Sequence, residues 1–361
     1  MFALANEKLC ICDDLSIQKN QNLIFIYSPP KVGSTTLVSS IRLYAPNMFT
    51  VLHIHDEKSL KIICNIENIT VNEIIQYNRN LGKNVWVIDI YRSPIEQKIS
   101  DFFEGICIHH FNNTAENIVN YPIQKIINRF NNLFPHLSTG DHFKEKYAIS
   151  FPETYDFAEN KYLSVTDTHG IKYIKLRLKD SGQWGKILTT ILGKNIKIVT
   201  DYETANKPII NELYKNFKEV YKIPENLLTI IKSCPHLKYY YSEQERNEYL
   251  NKWATNIGTP REPYSVSEYN LYTSISRENQ NINEIQRNHY IDIGCKCKAC
   301  FIKRSKMLQN GKMEKITHKE ANVEYLANKI RTVNKLNQIL ALQNQKQHQQ
   351  RKKNTFGTLK M

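Results

Sequence analysis

The chain has 361 residues, 41% of them hydrophobic, and a formal net charge of +14. That apolar content supports a core and excludes global disorder, while the length admits one large α/β domain with appendages or two modest domains. No run of 18 apolar residues occurs, and the start MFALANEKLCICDD lacks the pattern of a secretory leader, so a cytoplasmic location without a membrane span is expected.

The charge is unevenly placed. Residues 301–361 hold 14 Lys and Arg against three Glu, a local +11, which leaves only +3 for the first 300 residues. The core therefore needs no polyanion, and nucleic acid is a candidate partner for the basic tail alone.

After an N-terminal segment (1–20), the run Leu23-Ile24-Phe25-Ile26-Tyr27 predicts a buried strand, and the loop SPPKVGSTT leads into a helix over 37–44. A second strand is expected at 50–55, followed by a polar turn at 56–58. A helix follows at 71–80, ending near Gly82. Residues 84–91 read as another continuous apolar strand, followed by Arg92-Ser93-Pro94 and a helix through Phe103. Further strands are expected at 172–178 and 195–200. Apolar strands alternating with helices predict an α/β fold, a three-layer P-loop-type parallel sheet flanked by helices, over 21–253. TNIGTPREPYS marks a linker at 254–265, followed by a Cys/His-rich module (266–311) and a helical basic tail (312–361). In the tail, Val323, Leu326, Ile330, Val333, Asn337 and Leu340 form a short heptad seam, a candidate for self-association.

The loop at 28–36 poses the chemical question. A nucleotide-hydrolase loop of the form G-x-x-x-x-G-K-[ST] would carry glycine at 28 and lysine at 34, whereas this chain has Ser28 and Ser34, with its lysine at Lys31. Lys31, Val32, Gly33, Ser34, Thr35 and Thr36 still offer amides, hydroxyls and a cation at a helix start, which favours an anion. Downstream, YRSPIEQKISDFFE (91–104) ends a strand on Arg92 and places Ser100 on the following helix. A guanidinium and a hydroxyl there suit a second phosphate.

P-K-V-G-S-T-T-L resembles the 5′-phosphosulfate-binding loop of sulfotransferases, and Y-R-S-P-I-E-Q-K-I-S-D-F-F-E resembles their 3′-phosphate-binding element. The resemblance spans about residues 20–250. It implies 3′-phosphoadenylyl sulfate as the sulfuryl donor, with Lys31, Ser34, Thr35 and Thr36 on the 5′ side and Arg92 and Ser100 on the 3′-phosphate. ENKYLS (159–164) is similar to a signature of a capsular polysaccharide synthesis family, although Tyr162-Leu163 stands where that signature has Trp-Tyr. The implied acceptor is a hydroxyl on a glycan.

Transfer to a hydroxyl needs a base. His53 and His55 lie two apart on a predicted strand and so face one side. Carbohydrate 2-O-sulfotransferases carry a similar His-x-His, which makes His55 the candidate base and His53 its support. Asp56, Glu57 and Glu104 are the fallback bases, and Lys31 would stabilise charge on the bridging oxygen.

His289, Cys295, Cys297 and Cys300 match the ligand chemistry of a closed structural zinc site, with Cys10, Cys12 or Cys234 as candidate further ligands. Two other readings stand beside sulfotransfer. One is a P-loop kinase with magnesium on Asp89. The other is a zinc-containing adaptor for nucleic acid or protein, built on a degenerate transferase core.

Overall fold

The computed structural model describes residues 1–134, 137, 140–147, 149–199, 209–254 and 262–278. The chain divides into two compact units, residues 1–294 and 295–361, and every described residue belongs to the first. The four ligand candidates of the Cys/His-rich module and the basic tail, including its heptad seam, lie outside the described residues.

Five strands form one sheet in the order β2-β1-β3-β5-β4. They are β1 (Asn22–Tyr27), β2 (Thr50–Ile54), β3 (Asn84–Tyr91), β4 (Tyr162–Thr166) and β5 (Lys172–Arg177). All neighbours are parallel except β4, which runs antiparallel to β5 at the edge. The α/β sheet flanked by helices thus matches the coarse expectation, and β1 and β3 fall where the apolar runs placed them.

Alternation along the buried strands sends side chains to two cores. Leu23, Phe25 and Tyr27 face a larger cluster rich in aromatic rings, whereas Ile24 and Ile26 join Leu37, Val38 and Ile41 of the helix Ser34–Tyr44. Each such fully buried side chain contributes about 1.5–3 kcal/mol, so both faces must stay covered. The N-terminal helix Phe2–Lys8 takes part, with Ala5 and Leu9 fully buried in the larger core. Among the described residues, no helix is long and apolar enough to cross a membrane.

Two local differences from expectation have clear causes. The polar turn expected at 56–58 is instead a helix start: Asp56 accepts from Ser59 N at 2.6 Å and caps the helix Glu57–Cys64. The strand expected at 195–200 does not form over 195–199. There the backbone bonds to side chains, with Ile196 N donating to Thr189 Oγ1 (3.0 Å) and Val199 N to Ser40 Oγ (2.9 Å). By contrast the helix Val71–Asn80 spans the expected residues, started by a Thr70–Glu73 capping box.

The helices Ile210–Val220, Glu225–Ser233, Pro235–Tyr240 and Glu243–Trp253 supply buried residues to the larger core. Arg177, at the end of β5, ties them in by donating to Tyr240 O at 2.7 Å and to Glu245 Oε2 at 2.8 Å.

Candidate functional site

The register Tyr27↔Ile54 and Tyr91↔Arg177 brings the carboxyl ends of β1, β2, β3 and β5 to one edge of the sheet. Ligands of open parallel sheets bind at such an edge. The loop leaving β1 is anchored there by Ser28 N, which donates to Ile54 O at 3.2 Å.

Within the loop, Lys31 has φ +65° and Gly33 φ +92°, both left-handed. Left-handed residues interleaved with ordinary ones turn successive amides toward a common point, the geometry of an anion nest. Gly33 is fixed there by sterics as well as by φ. A Cβ on it would lie 2.9 Å from Leu178 Cδ1 and 3.2 Å from Trp184 Cη2, and Trp184 is fully buried. Gly33→Ala is therefore expected to destabilise the fold by about 1–3 kcal/mol, seen as a lower urea midpoint with an unchanged slope.

The second element holds the first. Arg92 Nη1 donates to Lys31 O at 2.7 Å, and Gln97 Nε2 donates to Pro30 O at 2.9 Å. Arg92 also lines a cleft of about 390 Å³ with Ser93, Leu178, Lys179, Glu245 and Lys252. Two polar atoms near this edge, Ser28 Oγ and Arg92 Nε, are buried without a hydrogen-bond partner among the described residues. Ser100 is buried on the helix Pro94–Gly105 and does not line this cleft. Lys31 forms an ion pair with Glu104, which commits one fallback base to the loop cation.

The two histidines of β2 and its end stand together, their rings 4.5 Å apart and edge to face. His53 is buried and its Nε2 lies 2.9 Å from Ser34 Oγ, linking β2 to the loop helix. His55 sits just past β2, its Nδ1 2.8 Å from Ser28 O. A carbonyl oxygen only accepts, so Nδ1 carries the proton and Nε2 the lone pair. Burial lowers the His55 pKa, outweighing the Ser28 carbonyl and Asp56, and leaves the imidazole neutral at pH 7. The remaining fallback bases are engaged: Asp56 in its helix cap, and Glu57 with the Tyr27 hydroxyl (2.6 Å) and Lys146 (3.1 Å).

Asp89, the magnesium ligand in the kinase reading, does not stand at the strand end. It pairs in register with Lys175 inside the sheet and is fully buried. Its Oδ2 accepts from Lys175 Nζ at 2.6 Å and from Phe143 N at 3.1 Å, and its Oδ1 accepts from Ile90 N at 2.6 Å. A carboxylate so occupied has no open side for a metal. Lys175 Nζ also donates to Asp141 Oδ1 at 2.5 Å, and the Tyr240 hydroxyl donates to Asp141 Oδ2. Burial pushes the Asp89 carboxyl up to about 7, whereas Lys175 and the Tyr240 hydroxyl hold Asp141 low despite its own burial.

Sequence reasoning missed this network and the neighbouring His142. A signal was present: Lys175 stands between Ile174 and Leu176 in the middle of a strand, and a buried ammonium requires carboxylates around it. His142 begins the short helix His142–Glu145, capped by Asp141, and its Nε2 lies 2.6 Å from the His55 backbone oxygen.

Of the candidate zinc ligands within the described residues, Cys234 is buried in the apolar core, while Cys10 and Cys12 are exposed. Among the described residues, no group of three or more His, Cys, Asp or Glu side chains is placed to hold a metal. Comparison of the chain with family models, curated proteins and solved structures gives no match.

Proposed function

We propose that the chain is a sulfotransferase that takes a sulfuryl group from 3′-phosphoadenylyl sulfate and delivers it to a hydroxyl, with a glycan as the acceptor. The observation that carries this reading is the bond from Arg92 to the Lys31 carbonyl, which joins the two anion-binding elements at one edge beside the 390 Å³ cleft. The orphaned Ser28 Oγ and Arg92 Nε suit a polyanionic nucleotide, since each gains a partner when one binds.

In this reading Val32, Gly33, Ser34, Thr35 and Thr36 hold the 5′ end through amides and hydroxyls, and Arg92 serves the 3′-phosphate, while Ser100 is buried on the helix that follows and lies outside the cleft lining. The donor supplies the activated sulfuryl group. Lys31 offsets negative charge on the oxygen that bridges to the phosphate, leaving Glu104 to do so. His55 takes the acceptor proton on Nε2, held in that tautomer by the Ser28 carbonyl, and His53 steadies the loop helix through Ser34.

The kinase reading loses its main support with Asp89 engaged by Lys175. Calorimetric titration of adenosine 3′,5′-bisphosphate without magnesium tests the proposal. Saturable binding that added magnesium does not strengthen is the expected result. Absence of heat in a folded sample, or binding of ATP only with magnesium, counts against it.

A further inference from the structure

A second cleft, of about 210 Å³, opens beside the start of the loop, between Pro29, Pro30, Lys98, Asp101 and His142. His142 is the group of interest. Its Nε2 lies against the His55 carbonyl oxygen, which only accepts, so the proton sits on Nε2 and Nδ1 keeps the lone pair. That Nδ1 has no hydrogen-bond partner among the described residues, and it is not one of the sealed polar atoms of the core. Burial pushes the His142 pKa down to about 4, so the imidazole is a neutral acceptor at pH 7.

The charges around the cleft cancel locally. Lys98 and the half-buried Asp101 offset one another in formal charge, Lys146 is paired with Glu57 at 3.1 Å, and Glu145 bonds to His236 at 3.0 Å. Among the described lining residues no cation is left in surplus for an acidic ligand. Among the described residues no Phe, Tyr or Trp lines the space, which disfavours a phenol, while the two proline rings offer apolar faces beside polar groups. That mixture suits a sugar ring, with its C–H face and its rim of hydroxyls.

We propose that this cleft is the acceptor subsite, that His142 Nδ1 accepts a hydrogen bond from an acceptor hydroxyl, and that the acceptor is an uncharged oligosaccharide rather than one bearing uronic acids. The assignment rests on the sulfuryl-donor reading above. His142 is a binding group in it, and proton removal stays with His55.

The test uses the full chain, labelled 3′-phosphoadenylyl sulfate and two acceptor sets. One set is maltohexaose and cellohexaose; the other is a hexasaccharide alternating N-acetylglucosamine and glucuronic acid. His142→Gln keeps an N–H for the His55 carbonyl but removes the Nδ1 lone pair. The expected result is label on the neutral set, with KM for that acceptor raised about tenfold in His142→Gln, kcat changed less than about threefold, and binding of adenosine 3′,5′-bisphosphate unchanged. Label on the acidic hexasaccharide alone, or on neither set while the bisphosphate binds, overturns the assignment. An unchanged KM in His142→Gln, or loss of the bisphosphate in that variant, overturns it too, the latter by making His142 a structural support. Failure of the wild type to bind the bisphosphate removes the donor reading itself, and this inference with it.

Discussion

Arg92→Ala is expected to weaken binding of adenosine 3′,5′-bisphosphate on the order of 100-fold, about 3 kcal/mol, the scale of losing charge-assisted hydrogen bonds to a phosphate. Two effects combine. The variant loses the guanidinium that lines the 390 Å³ cleft, and it releases the Lys31 carbonyl that Arg92 holds at 2.7 Å. Arg92→Lys separates them: it keeps a charge near the cleft but cannot place a planar fork between ligand and loop, so only partial recovery is expected. Lys31→Ala should also weaken binding, with a smaller loss because Lys31 must first leave Glu104. Calorimetry on the three variants decides the matter. Wild-type affinity in Arg92→Ala would detach this residue from any phosphate.

The largest effect on stability is expected from Lys175→Met. Removing the ammonium leaves Asp89 and Asp141 facing one another in a dry interior, and breaking a buried pair in this way costs about 3–5 kcal/mol. At roughly 2–4 °C per kcal/mol for a chain of this size, the thermal midpoint should fall by about 10 °C. Replacing all three residues together by Met and Leu removes the stranded charges, so that variant should be more stable than Lys175→Met alone. Thermal unfolding followed by circular dichroism checks both. A midpoint within about 2 °C of wild type in Lys175→Met would mean that water reaches the cluster.

The elements easiest to read were those whose local signals agree with their tertiary setting. Strand β3 is apolar from Val85 to Tyr91 but for Asp89, as suits a strand buried within the sheet, and the helix Val71–Asn80 carries its own capping box. The loop and Arg92 could be singled out because anion binding would demand particular residue types close together in the chain, and the structure does bring them together. His142, Asp141 and Tyr240 were not, because each meets its partner only across long sequence separations. The run at 195–199 carries strand-like residues, yet side-chain acceptors from Ser40 and Thr189 take backbone amides there. Composition cannot reveal such a competition, since it is settled by packing.

The cleft beside Arg92 has one part that arrives late. Its earlier lining ends at Lys179, and Tyr241, Glu245, Glu248, Tyr249 and Lys252 complete it. Tyr249 accepts from Ile95 N at 2.9 Å, and Trp253 Nε1 reaches Glu96 at 3.3 Å, so the late helix also braces the helix after Arg92. A chain still emerging from the ribosome therefore displays the loop and Arg92 well before it owns the cleft beside them. The cleft is complete only with the helix Glu243–Trp253, and the finished cleft is itself a report that synthesis has passed Lys252.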